Sequence, residues 1–149
     1  MGDPVTVGEG SDPEFGIAWT LVLSNSHVPG QQMLRLNVEG GGGGGGTTIV
    51  RRGAPLNASR SYGITDRKRG IAHLTGAVGK QFGSVYAEFD DGSTKEATMV
   101  SAHDLPVQFY VLFVDRRPAR LVGTDVLGHG GEWVNDPLGR VPCGKADSA

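Results

Sequence analysis

Apolar and polar residues alternate along this chain with a period of two, the pattern of strands that rest one face on a core. In FGIAWTLVLSN (15–25), Ile17, Trp19, Leu21 and Leu23 fall on one face, and Ala18, Thr20, Val22 and Ser24 take the other. SHVPGQQ then supplies a Pro-Gly turn, and MLRLNVE puts Leu34, Leu36 and Val38 inside against Met33, Arg35 and Asn37 outside. Two such runs joined by a Pro-Gly loop predict a β-hairpin. TTIVRR (47–52) predicts a short strand, and IAHLTGAVG (71–79) another that breaks at Gly76 or Gly79. Residues 51–69 carry six Arg or Lys and little apolar periodicity, so they read as a surface loop.

The clearest hairpin is SVYAEFDDGSTKEATMV, in which Val85, Ala87 and Phe89 alternate with Tyr86 and Glu88 before Asp91-Gly92 turns the chain. Asp-Gly favours a two-residue turn, because both residues take positive φ at low cost. LPVQFYVLFVD (105–115) is apolar on both faces: Val107, Phe109, Val111 and Phe113 against Tyr110, Leu112 and Val114. That pattern suits a central strand buried on both sides, or a strand near a sheet edge covered by a loop. ARLVGTDVLG (119–128) adds a strand, HGGEWV starts a last short one, and no ten-residue segment shows a 3.6 period. The predicted fold is all-β: a single antiparallel β-sandwich, immunoglobulin-like, of about eight short strands. Its predicted limits are an N-terminal extension (1–14), the sandwich (15–134) with a Gly-rich loop at 40–46, and a C-terminal tail (135–149).

Composition supports this reading and narrows the function. Glycine makes up 25 of 149 residues, and the chain stays glycine-rich outside the run Gly40–Gly46, as a turn-rich β protein would. A formal charge of −2 with 20% charged residues lacks the basic excess of a nucleic-acid binder. MGDPVTVGEGSDPEF has neither a basic n-region nor an apolar h-region, so no signal peptide is expected. No apolar run approaches the ~18 residues of a membrane span, so no membrane insertion is expected. Cys143 is the single cysteine; it has no partner for an intramolecular disulfide, and no base identifies it as a nucleophile.

The motifs that suggest chemistry weaken on inspection. A dinucleotide fingerprint needs a helix after its glycines, whereas Gly40–Gly46 lead into β-branched TTIV; the run reads as a loop within one domain. Its glycines lose more entropy on ordering than any other residue, so Gly42–Gly45 are expected to be mobile or sparsely contacted. GRVPCGKA (139–146) has P-loop spacing, but Ala146 stands where a hydroxyl would hold Mg²⁺ and no helix follows. Ser101, His103 and Asp104 are too close in sequence to align as a triad. His27, His73, His103 and His129 are isolated and suggest no metal site. Arg51-Arg52 and DRKRG (66–70) form a basic region offset by Glu88, Asp90, Asp91 and Glu96, without interleaved aromatics for base stacking. Trp19 and Trp133 sit in strand-like runs and read as core.

With the strands placed, GAVGKQFGSVYAEFDDGSTKEATMV followed by FYVLFVDRRPARLVGTDVLG resembles a group of uncharacterised actinobacterial proteins. Gly76, Val78, Gly79, Val85, Asp91, Gly92, Ala97 and Val100 carry the match, and Asp125 and Gly128 close it. The Trp-containing first strand and the Gly-rich stretch after the second are also similar to that group. The resemblance implies a small β domain, often tethered at the outer face of the cell membrane, with no established activity. This chain departs from it in lacking an anchor and paired cysteines near the Gly-rich stretch.

The resulting expectation is a non-catalytic interaction or structural module, with no catalytic, cofactor or metal residues assigned. Its expected partner is a protein or cell-envelope component, not nucleic acid. One alternative is a hydrolase assembling dispersed groups such as His73, His103, Asp104 and Asp125; the other is a self-associating virion or surface-layer protein.

Overall fold

The computed structural model describes residues 5–25, 32–38, 44–48, 60–101, 107–125, 127 and 132–134, and every regular element among them is a β-strand. Twelve strands form three antiparallel four-stranded sheets. The N-terminal sheet is a meander in chain order: β1 (Val5–Asp12), β2 (Ile17–Asn25), β3 (Gln32–Val38) and β4 (Gly44–Thr48). The middle sheet runs β5 (Arg60–Asp66), β6 (Ile71–Gly79), β10 (Val107–Val114), β9 (Thr98–Ser101). The third runs β12 (Glu132–Val134), β11 (Arg120–Asp125), β7 (Phe82–Glu88), β8 (Thr94–Glu96).

The expected all-β fold of short antiparallel strands is present, and the described residues form twelve strands in three sheets where about eight strands were expected. The reason lies in β6 and β10, each buried along its whole length. Their alternate residues feed two separate cores. Ile71, Ala77, Val107, Phe109, Val111 and Phe113 meet Ile17, Trp19, Leu21, Leu23, Leu34 and Leu36 of the N-terminal sheet. Ala72, Leu74, Val78, Tyr110, Leu112 and Val114 meet Phe82, Val85, Ala87 and Leu121 of the third. A two-layer sandwich leaves one face of every strand to solvent, so a pair of strands apolar on both faces requires a layer on each side.

Two further strands were not foreseen. Residues 5–12, expected as an extension, pair with β2 as β1. Gly8 and Gly10 hide its alternation, and neither site has room for a side chain. A Cβ at Gly8 would strike Val100, and one at Gly10 would sit 2.8 Å from Trp19 Cζ2, the ring of its cross-strand neighbour. An aromatic lying over an edge-strand glycine restores the packing that glycine lacks. Residues 60–66, expected within a surface loop, form β5 on the edge of the middle sheet, with Gly63 opposite His73. The remainder of that expected loop up to residue 59 lies outside the described residues.

The Gly-rich loop is also corrected in part. Gly44, Gly45 and Gly46 belong to β4 and pair with Leu36, Arg35 and Leu34, while Gly40–Gly43 lie outside the described residues. Ladder hydrogen bonds use backbone groups alone, so glycine pairs without a side chain once a neighbouring strand fixes it.

The expected hairpins are present: β2 pairs with β3, and β7 with β8. The Asp91-Gly92 turn is, however, a three-residue loop. Gly92 N donates to Phe89 O at 2.9 Å, Phe89 N donates to Ser93 O at 2.9 Å, and only Gly92 takes positive φ (85°) among the three. That is a type I turn closed by a left-handed glycine. The strand predicted to return from it divides at Ala97, whose N–H donates to Val85 O at 2.8 Å as the chain passes from the third sheet to the middle one.

Candidate functional site

The turns β1–β2, β5–β6, β7–β8 and β10–β11 gather charged side chains contributed by all three sheets. Lys95 lies on β8 opposite the buried Ala87, so it points inward from an edge strand. Its ammonium reaches Asp12 (3.0 Å) and Glu14 (2.7 Å), donates to Phe113 O (2.6 Å), and stands 4.2 Å from the Phe15 ring centroid. Asp12 also accepts from Phe15 N at 2.9 Å, which shapes the β1–β2 turn. From the β5–β6 turn, Arg69 donates to Phe15 O at 3.0 Å and pairs with Asp66 at 2.7 Å. Hydrogen bonding from the Arg69 side chain holds the Asp66 carboxyl below its ordinary range.

Beside this cluster, Arg116 pairs with Asp91 (3.1 Å), donates to Ser93 Oγ (2.7 Å) and lies 4.2 Å over the Phe89 ring. The Ser93 hydroxyl and N–H, with Arg116, hold the Asp91 carboxyl far below the usual range. A cleft between the two clusters is lined by Phe15, Phe89, Ser93, Lys95, Asp115 and Arg116, among others. Its two cations are each engaged by an aromatic face and by carboxylates, two for Lys95 and one for Arg116, which suits fastening turns together more than gripping a ligand.

The residues weighed for a hydrolase do not converge among those described. His73 is fully buried on β6, on the face turned toward the N-terminal sheet. Its Nδ1 lies 3.1 Å from Thr65 Oγ1, and its Nε2 has no hydrogen-bond partner among the described residues. Burial pushes its pKa down to about 4, so the ring is neutral at pH 7. Nδ1–H donating to Thr65 is the tautomer that leaves a lone pair, not an N–H, without a partner. Asp125 ends β11 in the third sheet, where Oδ1 accepts from Leu127 N at 2.9 Å. His27, His103, Asp104, His129, Cys143, Arg51-Arg52, the P-loop-like GRVPCGKA and the side chain of Trp133 lie outside the described residues. Among the described residues no three His, Cys, Asp or Glu side chains are grouped to hold a metal ion, and no helix is long and apolar enough to cross a membrane.

Comparison with protein-family models, with curated proteins and with solved structures found no match.

The geometry of the chain itself therefore carries the functional reading. The outward face of the third sheet bears three cross-strand pairs in a row. Ser84 and Thr124 share a hydrogen bond at 2.7 Å, Tyr86 stands opposite Val122, and Glu88 receives a bidentate pair from Arg120 at 3.0 and 3.2 Å. The sequence pattern sets Tyr86 and Glu88 on the face opposite Val85, Ala87 and Phe89 but does not pair them with Val122 and Arg120, because register between strands so far apart is a tertiary property.

The contact around His73 makes a direct prediction. A Cβ at Gly63 would lie 2.7 Å from His73 Cε1 and 3.0 Å from Nε2, with the ring held between two layers. Gly63→Ala is expected to cost about 1–3 kcal/mol through overpacking, read as a lowered Tm. An unchanged Tm would show that the imidazole has room to shift.

Proposed function

We propose that this chain is a non-catalytic interaction or structural module in which β5–β12 form an immunoglobulin-like sandwich and β1–β4 an added layer. The strand order carries the fold part of this reading. Hairpin by hairpin the chain alternates between sheets, giving β5-β6-β10-β9 against β12-β11-β7-β8. This matches the ABED and GFC orders of immunoglobulin domains, with β8 in the position of an added C′ strand.

Support for a module comes from where the chemistry-bearing side chains are used. His73 fills a core, Asp125 closes a turn, and Lys95 and Arg116 fasten turns to one another. The outward face of the third sheet, with Tyr86 at its centre, is the surface assigned to the partner; tyrosine is enriched at interfaces because it is both large and polar-tipped. In keeping with the resemblance to tethered actinobacterial β domains, the partner is a protein or cell-envelope component.

The test is saturable binding of the full chain to actinobacterial envelope fractions, compared with Tyr86→Ala. Binding that Tyr86→Ala reduces at least tenfold is expected. Turnover of ester, peptide or phosphoester substrates that disappears with His103→Ala or Asp104→Ala would replace this reading with the hydrolase.

A further inference from the structure

We infer that the N-terminal sheet is a detachable cover, and that protonation of His73 in the seam beneath it opens that seam before the rest of the fold loosens. The first ground is topology. Strands β1–β4 are contiguous in the chain, and among the described residues no ladder joins them to another sheet. One connection, residues 49–59, leads from them to β5. The middle and third sheets, by contrast, are crossed by the chain three times: at Lys80-Gln81, at Ala97 and at 115–119. A contiguous unit can leave as a whole, whereas sheets laced together must come apart together.

The second ground is what fills the seam. His73 shares the face of Ile71 and Ala77 and lies opposite Phe113, all three in the core under the N-terminal sheet. Gly63 and Thr65 of β5 adjoin its ring. The facing residues of β2 and β3 are Ile17, Trp19, Leu21, Leu23, Leu34 and Leu36, none titratable, and the facing β4 positions Gly44 and Gly46 carry no side chain. Among the described residues, the ionic contacts at this seam are the turn contacts of Asp12 and Glu14 with Lys95, and of Arg69 with Asp66 and Phe15 O. Nothing described around the imidazole would balance an added charge, and among the described residues His73 is the one buried histidine, placed in this seam and not in the core between the middle and third sheets.

The direction follows from linkage. His73 has its pKa lowered from 6.5 to about 4 in the closed form, and burial alone is the cause. Above pH 6.5 both closed and open forms are neutral there, and the group exerts no pH effect. As pH falls from 6.5 toward 4, the open form binds a proton that the closed form does not, so the closed form is progressively lost. The full effect on the open-to-closed ratio is about 300-fold, complete below pH 4.

Amide hydrogen exchange by mass spectrometry on the full chain between pH 7 and 4, corrected for intrinsic rates, tests this. Peptides from β2 and β3 are expected to lose protection while those from β7 and β11 keep it, with Trp19 emission moving to the red over the same range in a Trp133→Phe background. His73→Gln, which keeps a neutral side chain for Thr65, should lower the pH of opening by about one unit or more. Simultaneous loss of protection in β2 and β7, or an unchanged midpoint in His73→Gln, would overturn the inference. Should His73→Gln fail to fold, NMR titration of the wild-type imidazole decides: a folded-state resonance titrating near 6.5 refutes the inference, and one still neutral at pH 5 upholds it.

Discussion

Phe109→Ala is expected to lower the unfolding free energy by about 3–5 kcal/mol, the range for deleting a large aromatic side chain from a core. Phe109 is fully buried on β10, opposite Ala77 on one neighbouring strand and Val100 on the other. Its ring is part of the core shared by the N-terminal and middle sheets. The void left by alanine cannot close easily, because β10 is held by ladders on both sides and by a packed layer on each face. Urea unfolding should show an earlier midpoint with an unchanged slope. Val22→Thr, on the outward face of β2, should stay within about 0.5 kcal/mol. A loss below about 1 kcal/mol for Phe109→Ala would mean that the N-terminal sheet rests on the middle one without close packing.

Much of this architecture was legible in the alternation. Ile17, Trp19, Leu21 and Leu23 face inward as their spacing predicts, and the two-faced run at 107–114 is the central strand that its pattern suggests. The third layer was implied by the same run, since a strand apolar on both sides cannot belong to a lone two-layer sandwich. The second strand of the same kind is disguised in IAHLTGAVG, which mixes His73, Thr75 and Gly76 into its buried positions. Strands β1 and β5 were hidden for a related reason: Gly8, Gly10 and Gly63 stand where large side chains from other strands need the space. Such a glycine has meaning only once its neighbour across the fold is known. The turn cluster was illegible for want of proximity, as Asp12, Arg69, Lys95 and Arg116 are widely spaced in sequence.

Lys95→Met should be the most damaging substitution of a charged residue, at about 3 kcal/mol. The lysine side chain is 18% exposed and that of Asp12 is 11% exposed, so the pair is largely withdrawn from water. Methionine keeps the packing of the stem but removes the charge opposite Asp12 and the donor to Phe113 O. Breaking a mostly buried pair costs more than forming it contributes, because the surviving carboxylate remains desolvated. Two comparisons separate this cause from simple loss of a contact. Asp12→Asn combined with Lys95→Met should recover about 1 kcal/mol or more of the loss, since the desolvated carboxylate is then gone and the one left without the lysine, Glu14, is exposed. Arg120→Ala, which breaks the more exposed pair with Glu88, should cost no more than about 1 kcal/mol. If Lys95→Met proves as mild as Arg120→Ala, the ammonium is solvated and the β1–β2 turn is held by Arg69 and its own hydrogen bonds instead. A large effect that the double substitution relieves would identify Lys95 as the residue fastening the N-terminal sheet to the two layers beneath it.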